Sequence, residues 1–192
     1  MNEGPSDRIR IAEARPDELA LVADVLDSAS RRLLEMGIRQ WPIPFPVERV
    51  VFPDAAATVF LAWDDEAAAS AERAVARSAA VGTFTLQRRD VAFWPEAVEA
   101  RDGLEAWGSN GTRPIYLHRF ATRTGYRGLG LRMVAEAESI ARGWGANLMR
   151  LDCVSSDAKI RAYYEALGFE FRGDIQPAHL TFPAARYEKA LR

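Results

Sequence analysis

Apolar and polar residues along this chain follow two periods in turn. Ile9 and Ile11 alternate with Arg8, Arg10 and Ala12, the period of two that a strand imposes. Leu19, Leu21, Val22, Val25, Leu26, Ala29, Leu33 and Leu34 then recur at helical spacing. Arg15-Pro16-Asp17-Glu18 supplies a helix start, with proline and acids in the first turn, and Met36-Gly37 an end. TVFLAW (58–63) and AVGTFTL (80–86) read as a second and third strand, and DVAFW (90–94) as a continuation toward the sheet. Tyr116, His118 and Phe120 alternate with Leu117, Arg119 and Ala121, which predicts a strand over 115–122. From Leu131 the period turns helical: Met133, Val134, Ala137, Ile140, Ala141 and Trp144 share one face, closed by Gly143 and Gly145. NLMRLDC (147–153) predicts a buried strand. Ser155-Ser156-Asp157 is a cap cluster before a short amphipathic helix over 158–167, and further strands are predicted from 169 and over 184–190.

The segments between these are irregular. Three prolines in Pro42-Ile43-Pro44-Phe45-Pro46 exclude a helix interior or a central strand and predict a rigid, aromatic-rich loop after Gln40-Trp41. Residues 47–51 suit a short helix. Residues 1–7 read as a loose tail, 64–78 as a mobile, partly helical insertion, and 95–114 as a long connection. No repeat or linker divides the chain, so 1–192 is expected to form one domain.

Composition narrows the function classes. A hydrophobic share of 48% in 192 residues supports a sizeable core. A net charge of −2 gives no global attraction to nucleic acid or to an acidic membrane. The single cysteine, Cys153, permits no internal disulfide, and no apolar run reaches the length of a membrane span. The N-terminal MNEGPSDRIR lacks the apolar run of a signal peptide. A cytoplasmic protein with no nucleic-acid or membrane partner is the expectation. His118 and His179 carry no metal-ligand spacing, so no metal site is expected.

The chemistry concentrates where Gly125, Gly128 and Gly130 link a strand to a helix. The first N–H groups of a helix have no partner inside it, and the helix dipole adds positive charge there. Glycine lets the backbone approach closely, so such a turn cradles phosphate. The plainer alternative is a tight connection that binds nothing. A dinucleotide fingerprint needs glycine where Met133 stands, and a P-loop needs Gly-Lys-Ser/Thr where the chain has Gly130-Leu131-Arg132.

Three parts in order resemble the GNAT-superfamily N-acetyltransferases. They are the strand 118–122 with Gly125-Tyr126-Arg127-Gly128-Leu129-Gly130 and its helix; Leu151-Asp152-Cys153 with a polar turn at Asp157; and Tyr163-Tyr164-Glu165-Ala166-Leu167-Gly168-Phe169. Gln40-Trp41 and Val81-Gly82-Thr83 resemble the family's first half more weakly. The resemblance implies an α/β (α+β) fold. Its mixed, mostly antiparallel central sheet has 6–7 strands, is flanked by helices and is splayed between two central strands. It also implies acetyl transfer from acetyl-CoA directly to an amine of a small molecule or peptide, by a monomer or homodimer. A non-catalytic acyl-CoA-binding or regulatory protein of the same fold is the alternative.

The resemblance assigns residues too. Phe120, Ala121 and Thr122 would pair through their backbone with pantetheine, and the amides of Tyr126, Arg127, Gly128, Leu129, Gly130 and Leu131 would meet the diphosphate. Two registers of the family's loop fit, one starting at Arg127 and one at Gly125; the second keeps Met133, Val134, Ala137 and Ala141 on the buried helix face. It places Gly125 where the family has Gln or Arg, and Asp157 stands where it has Asn. Asp157 is either a cofactor contact or a simple N-cap. Tyr164 matches the family's general acid, with Tyr163 about 100° away around the helix as its rival; core packing beside Phe169 is the plain reading of both. For the general base, Asp90, Glu96, Glu99 and Asp152 are candidates, each also readable as a solvated charge. His118 lies on the right strand but also reads as an ordinary sheet residue. Cys153 reads as a small buried strand residue. Trp41, Phe45, Phe93, Trp94 and Trp107 would wall an acceptor pocket if they converge.

Overall fold

The computed structural model describes residues 8–50, 57–69, 79–95 and 111–192. Seven strands are present: β1 (Ile9–Glu13), β2 (Ala57–Asp64), β3 (Ala80–Gln87), β4 (Pro114–Thr122), β5 (Leu148–Val154), β6 (Glu170–Ile175) and β7 (Ala184–Ala190). Among the described residues the helices are α1 (Leu19–Glu35), α2 (Asp65–Ala69), α3 (Leu129–Gly143) and α4 (Ala158–Ala166), with 3-10 turns at Pro16–Glu18 and Val47–Arg49. The strands form one mixed, mostly antiparallel sheet in the order β1-β2-β3-β4-β5-β7-β6. By compactness the chain falls into two units: Met1–Thr85 with Arg119–Glu136, and Leu86–His118 with Ala137–Arg192.

In the first unit β1 pairs antiparallel with β2, from Ile9↔Asp64 to Glu13↔Phe60. The helical stripe read from sequence is the face α1 buries: Val22, Ala23, Val25, Leu26 and Ala29 pack with Phe45, Val50, Val59, Leu61, Ala80 and Ala121. Burying each such Leu or Val contributes about 1.5–3 kcal/mol. The proline-rich loop is tied down because the Phe45 amide donates to Asp27 Oδ1 at 2.5 Å, and Trp41 packs against the same core.

In the second unit β5 pairs antiparallel with β7 along its whole length, from Leu148↔Ala190 to Val154↔Ala184. β6 covers the other edge of β7 and bulges between Phe171 and Asp174, where Gly173 has φ 96°. β4 and β5 are parallel and pair only from Pro114↔Leu148 to Leu117↔Leu151. Both strands run on past that point, β4 to Thr122 and β5 to Val154.

Two expectations need correction. Residues 90–94 do not extend the sheet: the Phe93 amide donates to Asp90 Oδ1 at 3.2 Å and the Trp94 amide to the Asp90 carbonyl at 3.0 Å, so Asp90 folds the chain into a turn. The helix after the glycine loop starts at Leu129, two positions before the apolar period becomes visible at Leu131, which places Leu129, Gly130 and Leu131 in its first turn. Of the expected insertion 64–78, Asp64 instead ends β2, where it pairs with Ile9, and Asp65–Ala69 is helical; residues 70–78, like the tail 1–7, Glu96, Glu99 and Trp107, lie outside the described residues.

Candidate active site

In the first unit, β4 delivers the chain to the glycine loop. Arg119 interrupts the strand with φ 49°, a left-handed conformation that costs a non-glycine residue about 1–2 kcal/mol. It is held there by its own side chain, which donates from Nη1 to the Val50 carbonyl and lies 5.7 Å from the centre of the Phe45 ring. Burial, with Arg49 nearby, lowers the Arg119 pKa to about 10. Such a kink re-aims the residues that follow, here Phe120, Ala121 and Thr122. The Thr122 carbonyl already accepts from Arg32 Nη1 at 3.1 Å, and the Arg123 amide donates to Val81 at 2.8 Å.

The loop then turns on Gly125 (φ 91°) and Gly128 (φ 79°), and among the described residues nothing lies within 4 Å of where a Cβ would stand on either. The Leu129 amide is spent on the Tyr126 carbonyl at 3.2 Å, and the Arg132 amide on Gly128 at 3.1 Å. The amides of Gly130 and Leu131 have no partner within the helix, as first-turn position dictates. Two amide donors are thus left at the head of the helix, where the helix dipole is positive. Where a Gln or Arg would brace such a loop, Gly125 has no side chain, and Tyr126 takes over: its hydroxyl hydrogen-bonds Asp64, which is 3% exposed and faces Arg8 at 3.4 Å. Burial and this carboxylate raise the Tyr126 pKa. Arg132 adds a second tie, donating from Nη2 to the Ile9 carbonyl.

In the second unit, Tyr164 is buried on α4, with its ring against Phe169 at 5.9 Å, Tyr187 at 6.2 Å and Tyr163 at 5.4 Å. Burial raises its pKa well above that of a free phenol, and Cys153, Tyr163 and Asp152 add to the effect. Tyr164 is thus protonated throughout the neutral range. Tyr163, the rival, is half-buried, and its hydroxyl is enclosed without a hydrogen-bond partner among the described residues. Asp157 adopts the N-cap geometry: its Oδ1 accepts from the Lys159 amide at 3.0 Å and the Ile160 amide at 3.2 Å. Burial pushes the Cys153 thiol up to about 12, so it carries no thiolate at neutral pH and makes a poor nucleophile.

The candidate aromatic wall is divided. Trp41 and Phe45 belong to the α1 core of the first unit. Trp94, 2% exposed, is held between the guanidinium groups of Arg150 at 4.4 Å and Arg186 at 4.9 Å in the second. Phe93 lies 6.2 Å from the His118 ring and 5.7 Å from that of His179.

Sequence reasoning weighed Asp90, His118 and Asp152 singly and missed that the fold assembles them. His118 Nε2 is 3.3 Å from Asp90 Oδ2, and His118 Nδ1 is 3.7 Å from Asp152 Oδ1. Burial drives the Asp152 pKa up to about 7, which His118 opposes and Asp90 assists. The three offer ligand atoms within 4.8 Å of one another and are the described residues that could hold a metal ion. Each ring nitrogen already faces a carboxylate, however, which is the layout of a proton relay. It was hidden in the sequence because Asp90 lies far from the strands carrying the other two. Arg119 was equally illegible, since no glycine or asparagine marks the kink.

Comparison with known proteins agrees with this fold. The sequence model of the Acetyltransferase (GNAT) family matches residues 34–169. An uncharacterized N-acetyltransferase, YesJ, of Bacillus subtilis is 37% identical over 78 residues, which cover 38% of this chain and 43% of YesJ. The chain thus spans less than half the length of that relative. A GNAT-family acetyltransferase of Listeria monocytogenes superposes with TM-score 0.65 at 21% identity, over 95% of each chain. Arabidopsis thaliana NAA60, solved in complex with acetyl-CoA, superposes with TM-score 0.63 at 13% identity, over 95% of this chain and 98% of that one. FeeM, an N-acyl amino acid synthase from uncultured soil microbes, gives 0.64 at 11% identity, over 96% and 92%. With the family's sequence model covering most of its length and its sheet in place, this chain belongs to the GNAT acetyltransferase family.

Proposed function

We propose that this protein transfers acetyl from acetyl-CoA directly to an amine of a small molecule or peptide. The observation that carries the reading is the pair of left-handed, sterically open glycines, Gly125 and Gly128, at the N-terminus of α3. On this reading the amides from Tyr126 through Leu131 take the diphosphate, those of Gly130 and Leu131 being unspent in the helix. The backbone of Phe120 and Ala121, with Thr122 after them, pairs with pantetheine as an added strand. A donor on that strand faces the thioester oxygen as charge develops on it. The acetyl-CoA bound to the Arabidopsis neighbour supports this co-substrate.

Tyr164 is the acid that returns a proton to the departing thiolate. A phenol pushed above its usual value of about 10 is a weak acid, but a thiolate expelled into the same buried surroundings is a correspondingly stronger base. Asp157 is assigned to capping α4, and Cys153, with its thiol held protonated, to packing; no acetyl-enzyme is required.

The test is release of CoA thiol from acetyl-CoA across a panel of primary amines. Amine-dependent release, with stoichiometric acetylated product by mass spectrometry, is the expected result. Acetyl-CoA binding with no release across the panel would favour the non-catalytic alternative.

A further inference from the structure

Asp90, His118 and Asp152 all lie in the second unit, and the acyl-transfer steps above do not use them. Their placement follows from the sheet. Leu117↔Leu151 is the last pair of the β4–β5 ladder, and His118 and Asp152 are the next residue on each strand. Asp90 comes from the turn after β3, fixed because its Oδ1 accepts from the Phe93 amide. The side chains of Asp90, His118 and Asp152 are 6%, 12% and 16% exposed.

Two features point to a proton-handling role. A neutral imidazole donates from one nitrogen and accepts at the other, so a ring between two carboxylates is satisfied only when the trio holds an extra proton. That proton sits on the ring as imidazolium or on a carboxyl as the acid. Second, the ring joins the two carboxylates, Nε2 facing Asp90 Oδ2 and Nδ1 facing Asp152 Oδ1, so a proton taken up at one carboxylate passes through the imidazole to the other. The charged groups facing Asp152 are His118 and Asp90, with the Cys153 thiol and Tyr164 phenol nearby. Among the described residues, both carboxylates face His118, and the Phe93 ring lies near both His118 and His179.

We infer that Asp90, His118 and Asp152 form the general base of the reaction, a buried anionic relay that receives the acceptor as an alkylammonium and removes its proton before attack. This rests on the acyl-transfer reading and names its acceptor class. One N–H bond of the ammonium breaks, its electron pair stays on nitrogen, and the proton passes to the relay. The free amine attacks the thioester carbon, so the C–N bond forms and the C–S bond breaks. The thiolate takes the Tyr164 proton, and the phenolate is restored by the second proton leaving the new amide nitrogen. The relay then releases its proton to water, one per acetyl transferred. A histidine shared between two carboxylates suits this step, because its ring takes a proton at one nitrogen while the other stays against a carboxylate.

The experiment compares phenethylamine, cationic at neutral pH, with phenylhydrazine, already neutral there, as acceptors for the wild type and His118→Asn. The variant is expected to lose roughly 10²-fold or more in kcat/KM with phenethylamine but at most a few-fold with phenylhydrazine. An equal fall on both acceptors would make His118 structural and overturn the relay. Wild-type activity lost in EDTA and restored by a divalent cation would overturn it in favour of a metal-bound base. NMR titration of the two histidine rings in the free protein decides the matter without turnover. The relay requires a His118 midpoint that moves in Asp152→Asn, while an unmoved midpoint overturns it. Calorimetry with acetyl-CoA separates the two readings. A wild type that does not bind it sinks acyl transfer as a whole, whereas a variant that binds it and keeps the wild-type pH profile sinks only the relay.

Discussion

At the scale of single residues, adjacent positions receive opposite fates from burial. Tyr164 and Tyr163 are neighbours on α4, yet only Tyr164 packs its ring against both Phe169 and Tyr187. If Tyr164 supplies the proton to the leaving thiolate, Tyr164→Phe removes the acid and little volume. Turnover should fall roughly 10²-fold or more while acetyl-CoA affinity by calorimetry is nearly kept; unchanged turnover would take Tyr164 out of the chemistry. Asp152 carries a stability cost that can be measured separately. Its folded pKa of about 7 lies above the value near 3.9 of an unfolded chain, so the folded state holds the proton more tightly. Its contribution is best below about pH 4 and worsens as pH rises through about 7, above which both states are ionised and the full cost is felt. Asp152→Asn removes that dependence. Urea melts should show the variant gaining up to about 3 kcal/mol on wild type between about pH 5 and about pH 8, and equal pH dependence of the two would refute the burial argument.

At the scale of elements, α3 lies on β3 through a contact that tolerates no side chain. A Cβ on Gly82 would stand 2.6 Å from Met133 Sδ, 3.1 Å from its Cε and 3.3 Å from the Ala121 carbonyl oxygen. Met133 is fully buried, so the flexible end of its side chain has no solvent to swing into. Gly82→Ala should therefore cost about 1–3 kcal/mol in a denaturant melt, as overpacking does. Gly128→Ala meets nothing within 4 Å and should cost only the backbone strain of its positive φ, about 1 kcal/mol. A Gly82→Ala protein as stable as wild type would mean that α3 shifts on the sheet more freely than its packing implies. The elements themselves were largely legible because periodicity reports burial directly: β7 and the apolar stripe of α1 fall where the pattern put them. The 90–94 turn was not, because DVAFW is apolar enough for a strand, and only Asp90's bond to the Phe93 amide decides against one.

At the scale of the whole molecule, the fold class was legible and part of the candidate site was not, for one physical reason. The glycine loop and Tyr164 are local motifs, readable from contiguous residues through their resemblance to the family. Arg119's kink, the Tyr126–Asp64 tie and the Asp90–His118–Asp152 trio are made by tertiary packing between segments far apart in sequence. The departures from the family's pattern, Gly125 and Asp157, raise the question of whether the cradle still works. Both positions have a structural answer: Tyr126 braces the loop through Asp64, and Asp157 caps α4. A working cradle links ligand binding to folding, since a ligand held only by the folded state adds RT ln(1 + [L]/Kd), about 2.7 kcal/mol at one hundred times Kd. For a chain of this length each kcal/mol moves the melting temperature by about 2–4 °C, so saturating acetyl-CoA should raise Tm by about 5–10 °C. Dephospho-CoA keeps the diphosphate that the loop amides would hold and should retain most of that shift. Gly128→Ala should reduce the shift by more than its own small loss of stability explains. Absence of any shift with acetyl-CoA in the wild type would mean that replacing the family's Gln or Arg by Gly125 has disabled the loop despite Tyr126.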